Sequence, residues 1–248
     1  MCSPEECILH TFSDFQPYTV TETLTKKLND RYQTLFDQEK LAKKYAYANT
    51  LPFIHRWQQG RSLLEESCRM PFHSRPLLLF YGFSHLIKAL ILLYDPTYPS
   101  TTSVLAHGVS TRKRKRKDYR FIDDEVKIQK HGLFPHLLQH MCQEEAVHQD
   151  RFQMATLFLQ IPLLQDSVRA DARFKTKRKE ATLPGLLIHY LLLYNLSMIN
   201  RYETEWWGEL ISQRSSADLP LLETYVEQCP AICEAMIVEK ALGALMGR

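Results

Sequence analysis

The run RPLLLFYGFSHLIKALILLY, residues 75–94, decides the fold. Ser74 before it is a helix-capping residue, and Pro76 falls in the first turn, where a missing N–H is tolerated. Apolar residues then continue around every face, and a helix that is hydrophobic all round is buried. The run is therefore expected to be the central helix of a core, stopped after Tyr94 by Asp95-Pro96 and Tyr98-Pro99. A membrane span is the competing reading of so long an apolar stretch. His85 and Lys88 stand near its middle, however, and a lysine at the centre of a span costs about 2.5–3.5 kcal/mol.

Helical spacing extends outward on both sides. Residues 21–47, rich in Leu, Lys, Glu and Gln, predict one helix. Asn49-Thr50 reads as a fresh cap before Pro52, opening a second helix to Arg69. Between about 101 and 132 the pattern changes to short alternating runs, split by His107-Gly108 and Asp123-Asp124, which predict a small β-hairpin or irregular excursion near 103–130. Helices are expected again at about 133–141, 152–159 and 162–172, then in a second strongly apolar run over 183–202. Three more follow, at about 205–213, 219–228 and 230–246. The architecture is thus all-α, a single helical domain over 21–248 after a weakly structured arm at 1–20.

Glycine is scarce, 8 in 248 residues, against a usual share of roughly 7%. Neither G-x-G-x-x-G nor G-x-x-x-x-G-K-[ST] occurs, so no nucleotide-cofactor fold is indicated and no cofactor is expected. The six cysteines form no C-x-x-C pair and no disulfide framework. The N-terminus, MCSPEECILH, lacks the apolar core of a signal peptide, so the expectation is a cytoplasmic protein with reduced thiols.

The formal net charge of +3 conceals a strong asymmetry. RKRKRKDYR at 112–120 carries seven basic side chains, and RFKTKRK at 173–179 carries five. Without these segments the chain is acidic. The cations Arg112, Lys113, Arg114, Lys115, Arg116 and Lys117 repel one another and predict a solvated loop. Such a loop attracts phosphate-rich partners with salt-sensitive affinity, and only Tyr119 and Phe121 are at hand to stack on bases. Docking on an acidic protein surface, of this chain or of a second copy, is the other reading.

Tyr81, His85 and Lys88 follow one another at i, i+4 and i+7 and share a face of the central helix. The second apolar helix carries His189, Ser197, Asn200, Arg201 and Tyr202. Two readings compete. Lys88 and Arg201 hold an anion such as phosphate in a pocket between the helices, or they belong to an interior polar network with acidic partners. His131, His136, His140 and His148 make a histidine-rich stretch, with His136 and His140 four apart. H-E-x-x-H is absent and no third ligand is evident, so these read as structural histidines and no metal is expected. Cys229 and Cys233 read as small apolar thiols packing within a helix. Trp206-Trp207 reads as a core anchor at a helix end rather than a base-stacking platform.

Three blocks together carry a family resemblance: 75–93, LAHGVSTRKRKRKDYRFIDDEVKIQKHGLFP at 105–135, and SMINRYETEWW at 197–207. They resemble the YaaC-like family of bacilli and related Firmicutes, from about residue 40 to the C-terminus. The resemblance implies a small, largely helical cytoplasmic protein and supplies no catalytic residues. Genes of the family often lie beside that of IMP dehydrogenase, which suggests that enzyme as a protein partner and purine metabolism as a setting.

The leading expectation is a non-catalytic binding or regulatory protein for a phosphate-bearing ligand, a nucleotide or nucleic acid. Tyr81, His85, Lys88, His107, Arg201, Tyr202 and the basic loop would contact it. The enzyme alternative is a HEPN-type ribonuclease, which uses an Arg-x(4–6)-His motif; no arginine here has a histidine at that spacing. A protein–protein regulator of a purine-metabolism enzyme, with no membrane role and with self-association as an option, is the third reading.

Overall fold

A computed structural model describes residues 12–111, 119–141, 149–170 and 181–247. Its helices are α1 (Thr21–Gln33), α2 (Glu39–Arg69), α3 (Arg75–Leu92), α4 (Leu133–Met141), α5 (Met154–Leu159), α6 (Gln165–Ala170), α7 (Gly185–Tyr202), α8 (Thr204–Gln213) and α9 (Leu219–Met246). Three short strands, β1 (Val109–Ser110), β2 (Glu125–Ile128) and β3 (Arg151–Gln153), pair antiparallel in the order β1-β2-β3. The fold is mostly α with a small β excursion, as the hydrophobic pattern predicts.

α3 is the centre. Leu79, Phe80, Phe83, Leu86, Ile87, Leu90 and Leu92 are each fully buried, and α3 packs against α2, α7 and α9. It is the described helix long and apolar enough to cross a membrane, and two thirds of it is buried inside the protein. α7 is its counterpart, with Leu187, Tyr190, Leu191, Leu192, Leu193 and Leu196 fully enclosed.

α2 and α3 run antiparallel through a short turn and meet at glycines. A Cβ built on Gly60 would lie 2.6 Å from Leu86 Cγ and 2.8 Å from the Gly82 carbonyl oxygen. A Cβ on Gly82 would lie 3.0 Å from the Gly60 carbonyl. Backbone therefore rests on backbone, closer than side chains of any size permit.

Several local expectations need correction. Asn49-Thr50 does not open a helix; α2 runs unbroken from 39 to 69 with Pro52 inside it. The Thr50 hydroxyl donates to the Ala46 carbonyl at 2.7 Å, within the helix. The Asn49 amide donates to Pro96 O at 2.8 Å and to Tyr32 Oη at 3.2 Å, and Tyr32 in turn donates to Leu92 O at 2.7 Å. These bonds join α1, α2 and the end of α3, so tertiary contacts carry the helix past its proline. Likewise the two helices expected at 219–228 and 230–246 are one, α9, with Pro230 buried inside it. The single helix expected over 21–47 is broken at 34–38 between α1 and α2. Residues 151–153 are a strand rather than the start of a helix. Residues 12–19 are not loose: Phe12 and Phe15 are buried, and Phe15 stacks on Trp57 at 3.9 Å.

Gly60→Ala gains a few tenths to about 1 kcal/mol of helix propensity but must push α2 away from α3. The expected net loss is about 2 kcal/mol or more, roughly 4–8 °C in Tm. Gly208→Ala in α8, with nothing within 4 Å of the added Cβ, is the matched control and should be neutral or slightly stabilising. Urea titrations and thermal melts of the two variants test this contact directly.

Candidate functional site

The glycine contact has a chemical consequence. Arg56 lies one turn before Gly60 on α2, and His85 lies one turn after Gly82 on α3, so the close crossing places Arg56 against the His85 and Lys88 face. Arg56, His85 and Lys88 are all half-buried. Burial first, and then the charge of Arg56, pushes Lys88 below the ordinary lysine range. Burial, Lys88 and Arg56, in that order, push His85 down. Burial lowers Arg56 itself. Neither Arg56 nor Lys88 has a carboxylate within ion-pair distance among the described residues. Arg56 Nη1, His85 Nδ1 and Tyr98 Oη are buried with no hydrogen-bond partner, and the Arg56 guanidinium lies over the Tyr98 ring at 5.5 Å.

His107 joins this group from the segment before β1. Burial, Lys88 and Arg201 hold it below the ordinary histidine range, so the imidazole sits within the field of both cations. Its position has a backbone cause. Gly108 adopts φ +76° and Gly132 φ +130°; a Cβ on Gly132 would strike the Gly108 backbone, and one on Gly108 would strike the Pro135 ring and crowd Gly132. This contact lets the 106–107 carbonyls accept from the Leu133 and Phe134 N–H groups at 2.7 and 3.1 Å, capping α4. Tyr190 of α7 donates to His107 O at 3.0 Å, and Phe80 lies 5.0 Å from the imidazole. Arg201 closes the other side, donating to Tyr81 Oη at 2.9 Å.

The structure thus brings together Tyr81, His85, Lys88, His107 and Arg201, and adds Arg56, which the sequence reading missed. Arg56 is one of many charged residues of α2, and only the crossing at Gly60 shows that it meets the His85 and Lys88 face. Tyr202 is 66% exposed and stacks under the Arg201 guanidinium at 5.2 Å, outside the cluster. Arg112 to Lys117 lie outside the described residues. The segments flanking them are anchored, since Tyr119 donates to the buried Asp124 at 2.9 Å and Asn195 of α7 donates to the same carboxylate at 3.0 Å.

The other candidates fall elsewhere. His136 and His140 stand beside each other on α4, and Asp95 is the third group that the spacing did not reveal, 3.0 Å from His136. That carboxylate also accepts from the Thr97 N–H and hydroxyl, at 2.9 and 2.6 Å. His131 is exposed, and His148 lies outside the described residues. Trp207 is fully buried and donates to His73 O at 2.9 Å, a core anchor. Cys229 and Cys233 are fully buried and free. Burial pushes the Cys233 thiol up, while hydrogen bonds from Cys233 and His189 outweigh burial and hold Cys229 below the ordinary thiol range. A separate open groove along β2 and α4 differs in kind from the cation cluster, because its Lys127 has Asp150 at 3.7 Å.

A lysine whose pKa is lower folded than unfolded costs stability while it stays charged. The cost is full below the folded value and is relieved as pH rises toward 10.5. Lys88→Met keeps the length and removes the charge, so Tm at pH 7 should be unchanged or higher. A loss of about 3–5 kcal/mol in thermal or urea melts would instead reveal a buried acid partner.

Searches among curated proteins and among solved structures give no match. The family model described as YaaC-like Protein matches residues 16–178 and 167–241, a span that includes α2, α3 and α7 and hence Arg56, Lys88 and Arg201. With most of its length matched, the chain belongs to the YaaC-like family.

Proposed function

We propose that this protein is a non-catalytic binding protein for a phosphate-bearing ligand, seated where Arg56, Lys88 and Arg201 converge around His85 and His107. The observation that carries this reading is the set of half-buried cations with no acid paired to Arg56 or Lys88. Like charges held together in a partly desolvated site are costly, and a bound anion turns that cost into attraction. Guanidinium groups supply bidentate donors for phosphate oxygens, and Lys88 supplies a point charge. The histidines, held low and thus neutral at pH 7, leave room for an N–H donor without adding charge. Phe80 and Tyr194, both buried, flank His107 at 5.0 and 5.7 Å and hold its imidazole in place. The basic segment at 112–117 would extend the attraction to a longer polyanion.

Thermal melts test this at fixed ionic strength. Millimolar phosphate, pyrophosphate or AMP in place of chloride should raise the wild-type Tm, by about 5–10 °C at a hundredfold excess over Kd. Arg56→Met and Lys88→Met should each abolish most of the shift while remaining folded. Equal shifts in wild type and both variants would mean a general salt effect and would sink the reading.

A second reading rests on the meeting of Arg56 with His85. The two residue types of the Arg-x(4–6)-His motif come together from two helices instead of from one motif, and a neutral His85 suits a general base. On the binding reading, labelled single-stranded RNA incubated without metal stays intact. Cleavage by wild type that disappears in His85→Ala would favour the ribonuclease.

A further inference from the structure

A second cluster lies between α7 and α9, apart from the cations. Tyr225, Cys229 and Cys233 follow one another at i, i+4 and i+8, on one face of α9, and His189 of α7 faces them. All four are buried, His189 at 3% and the two thiols at 0% exposure. Sγ of Cys229 and Sγ of Cys233 are 3.5 Å apart, and the ligand atoms of His189, Cys229 and Cys233 all lie within 4.8 Å of one another. The Tyr225 ring stacks on the imidazole, 7° from parallel, with its hydroxyl 3.1 Å from Nδ1.

We infer that His189, Cys229 and Cys233 form a buried structural zinc site that ties α7 to α9. The donors are those that zinc prefers, two sulfurs and an imidazole. The geometry is close to what binding requires: two sulfurs at about 2.3 Å from a tetrahedral ion stand roughly 3.7 Å apart. Free thiols in an apolar core need no such convergence with a histidine. Charge selects the ion. Two thiolates cancel a divalent cation, so the loaded site is neutral and no net charge is buried, whereas Cu⁺ would leave one negative charge inside the core. Loading replaces the two thiol protons, which leave to solvent, and creates two Zn–S bonds without any change of oxidation state. A closed structural site takes four ligands, and the Tyr225 hydroxyl, 3.1 Å from Nδ1 and hydrogen-bonded to Cys229, is the neutral oxygen placed to take the fourth position and keep water out. Because the site is enclosed, the ion enters as α9 closes on α7 during folding. Cys229-x-x-x-Cys233 alone does not disclose the site, because its third ligand lies 40 residues upstream on another helix.

The test uses the full chain carrying a purification tag without histidines, prepared without chelator. Elemental analysis should find close to one zinc per chain. Unfolding and refolding in Co²⁺ should produce thiolate-to-cobalt charge-transfer absorption, and refolding with chelator should lower Tm. Cys229→Ser, Cys233→Ser and His189→Gln should each lower zinc content at least tenfold. The wild-type cobalt spectrum decides the matter even where a variant fails to fold. Zinc below a tenth per chain together with no cobalt–thiolate bands would overturn the site, as would a Cys229–Cys233 disulfide in protein purified without oxygen. Uptake of Cu⁺ with refusal of Zn²⁺ would overturn the choice of ion. None of these readouts depends on the anion site.

Discussion

The contact between Gly60 and Gly82 governs the molecule. Where α2 and α3 touch backbone to backbone, neither helix has a side chain to hold the other off. Everything on the facing surfaces is correspondingly close. Leu86 lies against Gly60 at the crossing, and Arg56 is brought against His85 and Lys88. A wider crossing would let water between these cations and screen them. At the observed separation burial weakens the hold of Lys88 and Arg56 on their protons.

The handling of opposite charge elsewhere sets these cations apart. Among the described residues three acids are buried, Asp124, Asp218 and Glu234, and each is bound by backbone N–H groups or neutral side chains, among others. Asp124 accepts from Tyr119 and Asn195, and Asp218 from the Phe121 N–H at 2.7 Å. Glu234 accepts from the Phe12 N–H at 2.9 Å, and burial pushes its carboxyl up to about 8, so it is largely protonated at neutral pH. These carboxyls serve to fasten segments: the β excursion to α7, the helical turn at 121–123 to the start of α9, and residue 12 to α9. None of them stands among the causes acting on Arg56, His85 or Lys88. The acids are spent on structure, and the cations are left to one another.

How much of this the sequence discloses depends on the range of the interaction. α3 and α7 are legible because their apolar residues run unbroken and their ends carry proline or a polar stop, which are local signals. The excursion near 103–130 is legible from its alternation, although β3 comes from residues beyond it and only pairing reveals it. Pro52 and Pro230 mislead for the opposite reason. Each removes one helical hydrogen bond, a local cost of about 3 kcal/mol, but the surrounding helix is held by contacts such as Asn49 with Pro96 and Tyr32. Tertiary packing outweighs the local break. At the site, the spacing of Tyr81, His85 and Lys88 is readable as one helix face, and Arg201 as a cation at the end of α7. Arg56 and His107 are not, since one depends on the glycine crossing and the other on the contact of Gly108 with Gly132.

That dependence also fixes how a ligand would act on the protein. Arg56, Lys88 and Arg201 stand on α2, α3 and α7, the helices that enclose most of the core, and His107 stands on the segment that caps α4. No mobile lid or separate lobe supplies a contact among the described residues. An anion bound to all of them would therefore draw together elements that unfold with the core, so its binding energy would appear in global stability rather than in the ordering of one loop. The same reasoning separates the two buried clusters. The cations stand on α2, α3 and the C-terminal end of α7 and are open enough to meet solvent, whereas His189, Cys229 and Cys233 join α7 to α9 with almost no exposed surface. One arrangement suits a ligand that comes and goes, and the other suits an ion that stays once the chain has folded around it.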